Sequence, residues 1–353
     1  LEIASPDPEA DIIFTLDGSN PQNSTNKFTG DSVVTIAVDP ADSTGRATTP
    51  GVIVRASLYK DGFKPTKPES RTYIFIENVK TQSYPGGGWP SEDINGQIID
   101  LDMDPDIVND SRYADYIDDA LLEIPTISVA TDIKNLFDPN TGIYVNAWGH
   151  GSEWERECSA ELINADGSEG FNVNAGLRIR GGWSRHNYFP KHAFRLFFRS
   201  QYGDTKLYFP LFGDEGVSEF DKIDLRCAMN YAWSTGDSRN TMVREVFSRD
   251  SQRDTKQPYT RSRYYHLYLN GMYWGLFQTQ ERSEARYAAD YFGDNREDYD
   301  VVKVNTENWN YQIEATDGNL DAWQLLWDKC NTGFQDNASY FDIIGKDANG
   351  KPK

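Results

Sequence analysis

Cysteine is scarce in this chain of 353 residues: Cys158, Cys227 and Cys330 are all it has, and no two stand in a CxxC spacing. That removes zinc-ribbon and thioredoxin-type chemistry, while one disulfide and three separate thiols both remain open. Histidine is equally sparse. His150, His186, His192 and His266 are scattered, and no pair has helical ligand spacing with an acid, which argues against a metal-dependent hydrolase. No GxSxG stretch offers the elbow of a serine hydrolase. No apolar run approaches the ~20 residues that a membrane-spanning helix needs. Leu1 opens neither the charged start nor the apolar core of a signal peptide, and the chain enters a strand pattern almost at once, as a mature or trimmed product would. Positive charge is the last shortage. With 35 Lys and Arg against 55 Asp and Glu, the formal net charge is -20. Nucleic acid needs a dominant basic surface, so it is not the expected partner, and anionic membranes are disfavoured for the same reason.

What is present suits a folded chain of more than one domain, since 38% hydrophobic and 13% aromatic content can bury a sizeable core. Residues 1–76 read as a small all-β unit. Runs at Ile12–Thr15, Val33–Val38, Val52–Tyr59 and Arg71–Ile76 are separated by Asp17-Gly18-Ser19, Asn20-Pro21 and Asp61-Gly62, all turn chemistry. Short strands at this spacing predict a sandwich. The stretches FTLDGSNP (Phe14–Pro21) and IVRASLYKDGFKPTKPESRTYIF (Ile53–Phe75) resemble the immunoglobulin-like module appended to chitobiases and many secreted bacterial proteins. That resemblance implies a spacer or accessory module, here without its earliest strand.

Residues 77–123 turn to Gly, Pro and acids, with Tyr84–Pro90 as an irregular connection. From Gln97 to Asp132, ten acids face Arg112 alone. Asp100, Asp102, Asp104 and Asp106 alternate as calcium ligands can, but the glycine and closing glutamate of an EF-hand loop are absent, so the run reads as a solvated acidic surface. Ser111–Leu122 predicts a short helix and Ile124–Ala130 a buried strand.

Against this acidic background lies a basic island. Residues 178–206 hold Arg178, Arg180, Arg185, Lys191, Arg195, Arg199 and Lys206 against Asp204 alone. Local positive charge in an acidic protein suggests a bound anion. Within it, NVNAGLRIRGGWSRHNYFPKHAFRLFFR (Asn172–Arg199) reads as two strands joined by a Gly181-Gly182 turn, with Lys191 opening the second. Backbone amides can approach an anion at such a turn without a Cβ in the way, and a following lysine can meet the same oxygens. The bland reading of the same residues is a hairpin with solvated arginines.

Further on, Asp221–Arg226 alternates as a strand, and Ser238–Asp250 reads as a helix capped by Asp237 or Ser238. Tyr264–Leu269 and Met272–Gln280 flank Asn270-Gly271, a strong hairpin signal. A helix is expected over about Arg282–Phe292, and another around Leu320–Cys330. Glycine turn, lysine strand, helix with a glutamate and two more strands is the order of a protein-kinase amino-terminal lobe. Specific stretches strengthen this: LRIRGGWSR (Leu177–Arg185), PKHAFRLFFRSQYGDTKLYFPLFGD (Pro190–Asp214), FDKIDLR (Phe220–Arg226), LYLNGMYWGLFQTQE (Leu267–Glu281) and YFG (Tyr291–Gly293). Together, over about residues 124–304, they resemble the spore coat protein H (CotH) kinase family.

The resemblance implies an α+β, atypical kinase-like lobe with a mixed or antiparallel sheet over residues 124–353. It also implies a secreted or surface enzyme that transfers the γ-phosphate of ATP, with Mg or Mn, to Ser or Thr of protein substrates. Carried over residue by residue, Lys191 would hold the nucleotide phosphates, with Gly181, Gly182 and Ser184 as the turn above them. Arg180 and Arg185 would meet the γ-phosphate or acidic substrate residues. Gln280 and Glu281 would sit where the adenine edge is read, and Glu245 would be the helix partner of Lys191.

Three departures stand out. Gly182 and Trp183 replace the asparagine and serine common in relatives, so contacts there pass to the backbone. On a helical wheel Met242, Val243, Val246 and Phe247 share a face about 130° from Glu245, which points Glu245 to solvent. Finally, no Asp after Asn305 has the context of a metal ligand, and Gly345–Lys353 reads as an exposed loop, so the chain reads as a fragment lacking the catalytic Asp segment. The alternative is an extracellular scaffold, meeting an assembly partner through its exposed faces, whose kinase-like module binds no nucleotide. The nine tryptophans and twenty tyrosines are numerous enough to line a sugar groove, though aromatics at strand spacing also build cores.

Overall fold

Alternation of apolar and polar residues makes strands the dominant regular structure of the first 280 residues, with few helices among them. The computed structural model describes residues 1–232, 236, 239–305 and 311–353. Compactness divides the chain into Leu1–Glu281 and Arg282–Lys353.

The first unit begins with β1 (Glu2–Ala4), β2 (Asp11–Thr15), β3 (Phe28–Gly30), β4 (Val33–Thr35), β5 (Gly51–Tyr59) and β6 (Glu69–Ile74). These form one four-stranded sheet, in the order β3-β2-β5-β6, and a two-stranded ribbon of β1 and β4. The sequence placed a longer strand at Val33–Val38 and a sandwich. In the structure Val33–Thr35 pairs only with Ala4–Glu2, and β6 turns toward the remainder of the unit, where side chains meet it.

Three short helices follow, α1 (Ile76–Lys80), α2 (Pro105–Val108) and α3 (Ile117–Glu123). Then come β7 (Thr126–Ala130), α4 (Ile133–Phe137), β8 (Arg156–Ile163), β9 (Asn172–Arg180), β10 (Ala193–Phe197), the short pair β11 (Leu207–Tyr208) and β12 (Glu219–Phe220), β13 (Lys222–Arg226), α5 (Arg244–Asp254), β14 (Ser262–Leu269) and β15 (Met272–Gln280). Seven of these close a barrel in the order β10-β13-β15-β14-β7-β8-β9. Six of its neighbour pairs are antiparallel, and β7 runs parallel to β14, with Thr126 opposite His266. The mixed α/β character matches the expectation, whereas closure into a barrel was not foreseen. Asn270 and Gly271 both have positive φ (43° and 80°) and turn β14 into β15, as the sequence implied.

The barrel is filled from its inward rows. Leu177 and Ile179, Phe194 and Leu196, Ile223 and Leu225, and Leu267 and Leu269 are all buried in one cluster with Trp274 and Phe277. Period-two alternation then fixes the outward rows: Arg178 and Arg180, Arg195, and Asp224 and Arg226.

The four-stranded sheet is docked to the barrel by polar contacts. Arg55, fully buried, pairs with Glu157 at 2.9 Å. Gly51 N–H donates to Gly271 C=O at 2.7 Å, and Asn270 Nδ2 donates to Asp17 C=O at 3.2 Å and to Thr131 C=O at 2.6 Å. The first 76 residues are thus built into the same compact unit as the barrel.

The expected helix at Ser238–Asp250 is observed as α5 from Arg244, and its cap at Asp237 or Ser238 lies outside the described residues. Met242, just ahead of it, has φ 59°, which interrupts helical geometry before that point. The cysteines are all free thiols, with Cys158 and Cys227 buried and Cys330 exposed.

The second unit contains α6 (Ala285–Phe292), a hairpin of β16 (Val301–Asn305) and β17 (Gln312–Asp317), α7 (Asp321–Thr332) and α8 (Asn337–Ile343). The tail expected as a loop folds back, with a bridge between Lys346 and Pro352. Among the described residues no helix is long and apolar enough to cross a membrane.

Candidate functional site

Register places Arg178, Arg195, Asp224 and Gln280 in one row across β9, β10, β13 and β15. Arg226 stands opposite Gln278 in the neighbouring row. Because these positions point out of the barrel, they form a charged layer, and α5 contributes Glu245 and Arg249 to it. Arg180 Nε donates to Asp224 at 2.8 Å, and Arg195 reaches both oxygens of the same carboxylate. Asp224 is 1% exposed. Burial alone would raise its pKa, but the guanidinium groups of Arg195 and Arg180 outweigh that and hold it below the usual range.

Glu245 gathers a second set. Its carboxylate accepts from Arg226 Nε, from Arg249 Nη2 at 2.8 Å, from Tyr231 Oη at 2.9 Å and from Gln280 Nε2 at 2.8 Å. Burial would raise the carboxyl, yet the Arg249 hydrogen bond, the Arg226 charge, Tyr231 and Gln280 pull it down to about 2. This corrects the helical-wheel expectation. α5 rests on a charged layer, so its polar side faces inward, while Val243 and Phe247 are exposed. Among the described residues, four guanidinium groups (Arg180, Arg195, Arg226, Arg249) share the carboxylates of Asp224 and Glu245, while Arg178 at the end of the row pairs with Glu155 at 2.6 Å. The buried Oε1 atoms of Gln278 and Gln280 have no hydrogen-bond partner there.

The other sequence-predicted residues are distributed around it. Gly181 has φ +117°, and a Cβ there would collide with Ser184 Oγ, so glycine is required. The Gly182–Arg185 turn is closed by Arg185 N–H to Gly182 C=O and His186 N–H to Trp183 C=O. Arg185 is buried and donates to the carbonyls of Gly181, Ala147, Gly149 and Ile179. Burial, with Arg195 and Arg180 nearby, lowers its pKa to about 10. It therefore staples the turn to the segment at residues 147–149. His192 fixes the far side of the turn, its Nδ1 2.7 Å from Ser184 C=O and its Nε2 2.6 Å from Gln97 Oε1.

Lys191 lies two residues before β10, not at its first position. Its ammonium sits 4.1 Å from the Trp274 ring centroid and donates to the Asp100 carbonyl. Trp274 belongs to the barrel core, so the side chain turns toward the interior, and desolvation lowers its pKa to about 8 despite Asp100. No ion pair joins Lys191 to Glu245 among the described residues. Glu281 accepts from Arg261 N–H at 2.9 Å and from its Nη1 at 3.1 Å, which ties the end of β15 to the start of β14. Gln280 joins Glu245, Arg180 joins Asp224, and both therefore belong to the charged layer.

Asp224, Arg226 and Arg249 were not among the sequence candidates, and Arg195 stood out only as a member of the basic island. For Asp224 and Arg226 the signal was the alternating run KIDLR (Lys222–Arg226), in which a charge at every second position on an apolar strand marks a covered polar face. Among the described residues, no group of three or more His, Cys, Asp or Glu is placed to hold a metal ion.

Residues 177–346, slightly less than half of the chain, match the family model described as CotH kinase protein. The match opens in β9 and takes in the turn, the charged layer and α5. No curated protein matches the chain.

Proposed function

We propose that the chain is a kinase-like, nucleotide-binding protein whose charged layer receives the phosphates of metal-bound ATP. The observation that carries this reading is the CotH kinase match over the same residues that build the layer. The chemistry fits the ligand. Guanidinium groups outnumber carboxylates among the described residues of the layer, and planar forks suit phosphate oxygens. The buried, unpartnered Oε1 of Gln280 is an acceptor for an adenine amino group. At the Gly181–Ser184 turn the first amides of a short helix lack partners within it, and only glycine permits the backbone conformation. In this reading Arg180 meets the phosphates, Glu245 and Asp224 hold the arginines in place, and the Mg or Mn ion arrives with the nucleotide. The acceptor is a Ser or Thr hydroxyl of a protein substrate, and the setting is extracellular or at the cell surface, as the family resemblance implies.

One observation favours a second reading, a scaffold that binds no nucleotide: Lys191 and Arg185 are both committed to protein partners. Calorimetric titration with ATP, with and without Mg or Mn, separates the two. Metal-dependent binding that Arg180→Ala abolishes supports the charged layer. Binding lost in Lys191→Ala but kept in Arg180→Ala moves the phosphates to the barrel end. Absence of binding in wild type leaves the scaffold.

A further inference from the structure

Trp148, Trp183 and Tyr188 are 52%, 54% and 48% exposed. They are not scattered. Trp183 and Trp148 lie 4.1 and 5.0 Å from the His186 ring, and Tyr188 stacks on that ring at 5.1 Å, so four rings form one surface group. Large apolar rings left in water at one place mark a binding surface more often than isolated ones do. The rings are also held rigidly, because Arg185 staples the segment carrying Trp183 and His186 to the carbonyls of Ala147 and Gly149 on either side of Trp148.

Beside the rings opens a cavity of about 360 Å³ lined by Trp148, Trp154, Asn95, Gln97, Asn146 and Asn187, among others. Arg185 is the sole charged residue in that lining, and its guanidinium is spent on backbone carbonyls. With that charge spent, the lining is otherwise neutral. It disfavours phosphates, charged peptides and cations, each of which needs an opposite charge at its site. Gln97, Asn95 and Asn146 give their amide N–H groups to the protein, which leaves the Asn187 amide and the amide oxygen of Asn95 beside aromatic faces, a combination that suits a neutral ligand with hydroxyls, its ring faces on the indoles.

We propose that this aromatic and amide platform is a binding site for a neutral oligosaccharide. Trp148, Trp183 and Tyr188 take no part in the arginine and carboxylate contacts of the charged layer, although Trp183 belongs to the Gly181–Ser184 turn beside it, and the proposal does not rest on nucleotide binding. The test is titration of the full chain with cellohexaose, xylohexaose and tetra-N-acetylchitotetraose, followed by tryptophan fluorescence and by saturation-transfer NMR. A saturable change with at least one of them is expected, weakened about tenfold or more in Trp148→Ala/Trp183→Ala. These side chains are half exposed, so the variant should keep the wild-type circular dichroism. Trp148→Phe and Trp183→Phe, which keep a ring face, should retain most of the affinity. No response to any of the three, equal binding by the double alanine variant, or a response to ATP alone would overturn the proposal.

Discussion

Glu245 offers the sharpest test of the charged layer, because its carboxylate joins α5 to β13 and β15 through Arg226 and Gln280. A carboxyl moved from its ordinary 4.5 to about 2 is worth about 3 kcal/mol of stability at neutral pH, at ~1.36 kcal/mol per pH unit. That figure is a ceiling, since glutamine at the same position keeps some of the hydrogen bonds. Glu245→Gln should therefore cost about 2 kcal/mol, with Arg226 and Arg249 left facing each other. The sign of the pH dependence follows from the lowered value. Stability from the ionised form is complete above the unfolded pKa near 4.5 and is lost as pH falls toward 2. Urea unfolding of wild type and variant, followed by tryptophan fluorescence between pH 7 and 2.5, measures the difference directly. It should be largest at pH 7 and shrink steadily below pH 4.5. A difference near zero at pH 7, or one that stays constant down to pH 2.5, would refute the assignment of Glu245 to a paired, inward-facing role.

Three other outcomes follow from the same structure. Asn270→Ala removes an amide that bonds Thr131 N–H, Thr131 C=O and Asp17 C=O, so it should destabilise the first unit by about 2–3 kcal/mol; thermal unfolding reads the loss. Gly181→Ala forces a side chain into φ +117° and onto Ser184, and should cost at least about 1–3 kcal/mol, whereas Gly182→Ala, where a Cβ meets nothing within 4 Å, should be milder; comparing their unfolding midpoints checks this. Burial pushes the Cys158 and Cys227 thiols up to about 12 and about 11, so a thiol reagent should label one cysteine, Cys330, in the native chain at pH 8 and three in denaturant.

The hairpin at Asn270-Gly271 was legible because its signal is local: two turn residues between alternating strands. So was the hairpin of Asn172–Arg180 and Ala193–Phe197, although Lys191 stops short of the second strand. Barrel closure was not legible. It depends on Thr126–Ala130 running beside Ser262–Leu269, a parallel neighbour some 140 residues away in the chain that no local pattern specifies. The charged layer was half legible. Arginine clustering showed in the sequence, but its partners come from β13 and α5, and the helical-wheel argument assumed that a helix turns its apolar side inward. Here the surface beneath α5 is polar, so the rule selects the opposite face. Glu281 shows the same limit in miniature, since its partner Arg261 is fixed by hairpin register alone.

The docking of the four-stranded sheet also decides where that sheet can gain another strand. A closed barrel presents no edge, and an open sheet normally presents two. Along β6 the outward backbone groups are already taken by barrel side chains: Thr72 N–H by Glu161 at 2.8 Å, Ser70 C=O by Asn172, and Pro68 C=O just ahead of the strand by Asn174 at 2.8 Å. Three polar side chains thus stand in for a fifth strand. The remaining edge of that sheet is the three-residue β3, too short to template an extended partner. In this four-stranded sheet, lateral growth is blocked at one margin by hydrogen bonding and at the other by length.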